Sequence, residues 1–171
     1  MPKRADMTDQ HGSCEITGTC GESLSVILTT QHPEYTSVSA YLELPNAVCP
    51  FRQEVSTVSY CLPDIAQLDA LLNGTSNAVF EFTSLSLTWR IGEHTWGARS
   101  AYLVTGEITT IQHANFSPWP AGHSIGDFIL DDNPNAACLN FAFRTDHERL
   151  QAFRDHLCLS LKAIQSAVNH D

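Results

Sequence analysis

Between residues 146 and 168 apolar side chains recur at intervals of three and four: Leu150, Phe153, Leu157, Leu161, Ile164 and Val168. Arg149, Gln151, Asp155, Lys162 and Gln165 fall on the opposite side. The spacing predicts a helix of about six turns with a single dry stripe. Thr145 and Glu148 ahead of it match a Thr-x-x-Glu capping box, in which the Thr oxygen accepts a first-turn amide and Glu148 reaches back. A helix with one apolar stripe has to lay it on another apolar surface, and this dictates what the rest of the chain must supply.

That surface is predicted to be a β-sheet. Residues 37–44 alternate cleanly, with Val38, Ala40, Leu42 and Leu44 on one face and Ser39, Tyr41 and Glu43 on the other. Residues 23–30, 51–60, 78–82, 85–91, 98–112 and 137–143 read as further extended segments, with Gly92-Glu93 as a hairpin turn and a bend at Gly106. Residues 125–130 are a short additional candidate. A brief helix sits in the middle: Pro63 suits its first position, Ile65, Leu68, Leu71 and Leu72 form its apolar face, and Asn73-Gly74 closes it. The expected architecture is α+β, a mostly antiparallel sheet with a short middle helix and a long amphipathic C-terminal helix packed on it. Residues 1–21 are polar and glycine-containing and read as a flexible leader, leaving 22–171 as one domain. A chain of 171 residues is long enough to bury its own core without staples.

Charge narrows the possible partners. The formal net charge is −10. Between Arg4 and Arg52 stand six acids and no base, and between Arg52 and Arg90 four more acids, Glu54, Asp64, Asp69 and Glu81, again with no base. Such a surface repels phosphate backbones, which argues against nucleic acid, and attracts a basic protein. No apolar run reaches the roughly 18 residues of a membrane span. Lys3 and Arg4 are followed by no apolar stretch, so a secretory signal is not expected and the cytoplasm is. In that compartment the six cysteines, Cys14, Cys20, Cys49, Cys61, Cys138 and Cys158, are expected as free thiols.

Motifs for chemistry are sparse. Gly122-His123-Ser124-Ile125-Gly126 matches G-x-S-x-G, but the nucleophile elbow needs a strand before it and a helix after it, and here a proline-rich loop precedes a β-like run. A small hydrolase using residues 113–126 is the alternative that this match keeps open. His11-x-x-Cys14-x5-Cys20 has zinc-binding residue types without zinc-ribbon spacing. No phosphate-binding glycine motif occurs. Neither a metal, a cofactor nor a catalytic residue is therefore expected. Residues that suit a protein interface are the loop-proximal acids Glu93, Asp131 and Asp132, with Trp96 and Trp119 beside them as aromatic anchors.

The stretch Leu139-x-Phe141-x-Phe143-x-Thr145-Asp146, followed by Leu150, Phe153 and Leu157, resembles the C-terminal strand and helix of WapI-type immunity proteins. The middle of the chain is similar in outline too: a short helix with Leu68, Leu71 and Leu72, a strand with Leu85 and Leu87, and a return strand containing Gly106. The likeness runs from about Leu62 to Leu161. It implies a small cytosolic partner, not an enzyme, that neutralises the toxic domain of a bacterial contact-dependent or polymorphic toxin. A basic toxin domain such as a nuclease would then be the binding partner. An interaction protein of phage or host origin, acting on another defence or regulatory complex, is the remaining alternative.

Overall fold

A computed structural model of the protein describes residues 13–32, 34–46, 50–96, 99–111 and 136–168. Within them the order is β1 (Ser13–Thr17), β2 (Ser23–His32), β3 (Tyr35–Leu44), β4 (Phe51–Ser59), α1 (Ile65–Leu72), β5 (Val79–Thr83), β6 (Leu87–Trp96), β7 (Arg99–Ile111), β8 (Ala136–Thr145) and α2 (His147–Val168). The α+β architecture and the long terminal helix are as expected, but the strands form two sheets. β1 to β4 make one antiparallel meander and β5 to β8 a second.

Alternation decides which side of each strand is dry. Leu24, Val26 and Leu28 of β2 face Leu42, Ala40 and Val38 of β3, in register and buried. In the second sheet Phe80, Phe82, Trp89, Ile91, Val104, Ile108, Phe141 and Phe143 do the same, and all of these side chains belong to one core. The helix stripe completes it. Leu150, Phe153, Leu157, Leu161 and Ile164 are buried, while Arg149, Gln151, Asp155, Lys162 and Gln165 are exposed. α2 leans on β1 and β2. Its Phe153 reaches the other sheet, edge-on to Trp89 at 5.4 Å and to Phe80 at 6.2 Å, with Phe80 and Trp89 5.1 Å apart. Two T-shaped aromatic contacts therefore join helix and second sheet, and a third lies within that sheet. The Trp89 indole N–H is buried with no hydrogen-bond partner among the described residues.

Two seams tie the sheets together. At one, Thr19 N donates to Arg144 O (2.9 Å) and Thr145 Oγ1 to Thr17 O (2.7 Å), linking the end of β1 to the end of β8. At the other, Leu85 N donates to Val58 O (3.0 Å) and Ser86 N to Thr57 Oγ1 (3.0 Å), linking the β5–β6 turn to β4.

Several local expectations need correction. Residues 13–17 are not leader but β1, with Cys14 and Ile16 buried at 1% and 0% exposure. Burial pushes the Cys14 thiol up to about 12. Gly92-Glu93 is no turn: β6 continues to Trp96 because β7 pairs with it throughout, from Leu87 opposite Ile108 to Trp96 opposite Arg99. Leu85 lies before β6 and serves the seam. α1 begins at Ile65 and not at Pro63, with Asp64 as its N-cap, the Oδ1 accepting from Ala66 N at 2.9 Å. The capping box is displaced by one residue. Asp146 Oδ1 accepts from Arg149 N at 2.9 Å, while the fully buried Thr145 hydroxyl is engaged with Thr17. The C-terminal signal of α1 behaves as expected, with Asn73 capping and Gly74 in the left-handed region at φ +69°.

Gly106 bends nothing; it makes room. A Cβ there would stand 2.2 Å from Phe141 Cζ, because the Phe141 ring lies across the glycine in the register Trp89–Gly106–Phe141. Among the described residues no helix is long and apolar enough to cross a membrane. The segment 125–130 lies outside the described residues.

Candidate functional site

β4 ends where its last residue turns inward. Ser59 is buried, its Oγ 2.8 Å from both Cys61 O and Thr83 O and 3.3 Å from Cys61 N. This hydroxyl holds the chain in a bend between β4 and α1 and anchors it to β5. The bend throws the next side chains outward. Tyr60 is 62% and Leu62 41% exposed, and with Leu159 on α2 they are the exposed large hydrophobics among the described residues.

Both stand on a cleft of about 580 Å³ beside the β4–β5 seam. Val58, Val79 and Leu85 supply further apolar wall, and Phe82 lies beneath. Gln67 of α1 forms part of one side and fixes the helix to β5 by accepting from Glu81 N at 2.9 Å. Glu81 and Arg90, opposite each other in the β5–β6 register, pair across the cleft's outer lip at 3.0 Å. Both are about half exposed, so the pair costs little to exchange for a partner's charge. Cys61 carries an exposed free thiol in the same cleft.

The charge around this cleft follows from the sequence. Residues 53–89, which build most of it, contain four acids and no Lys or Arg. Arg90 enters from β6 against Glu81, and Arg154 of α2 takes Asp69 of α1 through Nε (2.8 Å) and Nη2 (3.2 Å). Glu54 and Asp64 stay exposed. The cleft itself combines an apolar wall with an exchangeable ion pair at its lip, a set of groups suited to gripping an apolar side chain flanked by charge.

The residues expected at an interface are placed as follows. Glu93 is exposed on β6, opposite Tyr102 of β7. Partial burial, and then the Glu93 charge, raise the Tyr102 phenol above its ordinary value, and Tyr102 Oη lies 3.2 Å from His147 Nδ1 at the start of α2. Trp96 is the last residue of the same strand. Trp119, Asp131 and Asp132 lie outside the described residues, as do His123 and Ser124 of the G-x-S-x-G match. In the His11/Cys14/Cys20 set, Cys14 faces the core, with its Sγ 3.5 Å from Val26 O, while Cys20 is exposed and His11 lies outside the described residues. Five cysteines, Cys14, Cys20, Cys61, Cys138 and Cys158, carry free thiols. Sequence reasoning missed Tyr60 and Leu62. The available signal was Tyr-Cys-Leu-Pro, an apolar stretch placed between a strand and a helix where polar residues are usual.

No family model, no curated protein and no solved structure matches the chain.

Proposed function

We propose that the chain is an immunity-type inhibitor, a cytoplasmic protein that binds the basic toxic domain of a bacterial toxin and masks its active site. The observation that carries this reading is the pairing of Tyr60 and Leu62, outward-facing and apolar, with a largely apolar cleft on a chain of net charge −10. Exposed aromatic and aliphatic side chains grouped at one cleft are the usual anchors of a protein interface. The net charge of −10 steers a basic partner toward the chain and discourages nucleic acid. The resemblance to WapI-type immunity proteins points to the same class of partner.

The test is capture from the native host, followed by titration of the captured protein against Tyr60→Ala and Leu62→Ala. Each substitution is expected to weaken binding by about tenfold or more, the cost of truncating an interface anchor. Leu159→Ala, on the exposed face of α2, should leave affinity unchanged. Capture of no basic protein would defeat the reading. Unchanged affinity for both cleft variants would move the interface away from the cleft.

A further inference from the structure

β4 is the last strand of its sheet, and the direction of its unpaired side can be derived. In antiparallel pairing a residue sends its N–H and C=O to the same side, and neighbours alternate. Val58 O accepts from Leu85 N (3.0 Å) and Glu54 O from the Gln53 side-chain amide (2.8 Å), so neither carbonyl is spent on β3. Arg52, Glu54, Ser56 and Val58 therefore point their backbone groups away from β3, and Val58 is already committed to the seam. Among the described residues no strand pairs with the remaining edge.

We propose that this edge takes a second copy of the chain, antiparallel and two-fold symmetric, with Gln53 on the axis. Backbone parity restricts the possible registers to those in which even-numbered residues face one another, and charge chooses among them. A two-fold centred on Glu54 sets Glu54 against itself, and one centred on Arg52 sets Arg52 against itself. Centring on residue 55 sets Glu54 against Ser56 and Arg52 against Val58, whose carbonyl Leu85 occupies, so neither charge meets its opposite. With the axis at Gln53, Arg52 faces Glu54 of the second copy and Glu54 faces its Arg52, while Phe51 meets Val55 on the inner side in both directions. The motif Phe51-Arg52-Gln53-Glu54-Val55 is thus self-complementary, as an isologous contact must be.

The side chains are already arranged for this. Arg52 and Glu54 are exposed, and Phe51 and Gln53 are half-buried. Arg52 pairs with Glu43, opposite it on β3, and lies over the Tyr41 ring at 5.4 Å. In the dimer its guanidinium stands between Glu43 and the incoming Glu54, which continues an alternating charge ladder across the outer face. Gln53 releases the Glu54 carbonyl to Arg52 N–H of the other copy. Pro50, which has no N–H, limits the ladder opposite Ser56. The contact is short, so association is weak.

Sedimentation equilibrium of the full chain up to about 1 mM, where weak association registers, is expected to show a monomer–dimer equilibrium. Glu54→Arg, which disturbs no ion pair among the described residues, should weaken it by more than about tenfold by facing Arg52 with a like charge. Arg52→Glu should act in the same direction, and the double exchange R52E/E54R should restore association. Thermal melts establish that each variant is folded. Hydrogen exchange gives a second readout: on dimerisation the Arg52 and Glu54 amides slow, whereas those of Gln53 and Val55, already turned to β3, do not change. A wild-type chain that stays monomeric up to about 1 mM, a dimer indifferent to Glu54→Arg, or a folded double exchange that fails to associate would each overturn the proposal.

Discussion

Cys14 shows how one side chain records its surroundings. In a flexible leader its thiol would titrate near the ordinary 9.0; buried in β1 it is pushed up to about 12. A proton held more tightly in the folded than in the unfolded chain stabilises the fold below the unfolded value, and that contribution is lost as pH rises through the window from 9 to about 12. At pH 10.5 the loss attributable to this thiol is about 2 kcal/mol. Urea unfolding at pH 8 and pH 10.5 should show it in the wild type and not in Cys14→Ala, whose stability is lower at both pH values but falls less between them. Equal slopes for the two proteins would mean that the thiol is not buried in solution.

At the level of elements, the parts legible in the sequence were those whose pattern is local. β3 and β8 alternate over most of their length, and the α2 stripe is dry at every described position where periodicity placed it. The failures occurred where a distant partner decides. β1 has only five residues, Ser-Cys-Glu-Ile-Thr, between polar segments, and its burial depends on β2 and α2. The capping box failed for the same reason: Thr145 has the right chemistry to cap α2, but its hydroxyl is claimed by Thr17, leaving Asp146 to accept the amide. Two substitutions separate these roles. Asp146→Ala should cost about 1 kcal/mol as a lost cap, and Thr145→Val roughly 1–3 kcal/mol because the Thr17 carbonyl loses its donor in a buried position. Denaturant melts check both, and an Asp146→Ala variant as stable as the wild type beside a Thr145→Val loss of about 1 kcal/mol would restore Thr145 as the cap. The candidate site was the least legible part. Tyr-Cys-Leu-Pro stands out as an apolar stretch between strand and helix, but its direction is set from afar: the buried Ser59 hydroxyl, bonded across to β5, turns the Tyr and Leu outward.

For the whole molecule, the imbalance of charge is the dominant property. Arg52, Arg90, Arg149 and Arg154 are each paired with a carboxylate, so the excess of acid is what the surface shows to an approaching partner. The association rate with a basic partner should then fall by about tenfold or more between 0.01 and 0.15 M salt, as the screening length shrinks from about 30 to 8 Å. The dissociation rate should change little if, as proposed, apolar contacts at Tyr60 and Leu62 hold the complex. Stopped-flow measurements at several salt concentrations separate the two rates. Salt dependence confined to dissociation would place the charges inside the contact instead of around it.

The hydrogen bond from Thr145 to Thr17 spans 128 residues of sequence. A chain emerging from the ribosome makes β1 well before the strand end and helix that lock it in place. Closing so long a loop costs conformational entropy before any contact repays it, which slows the final assembly. β1 is consequently secured long after it is translated, and until then its apolar side is left to whatever else in the cell will hold it.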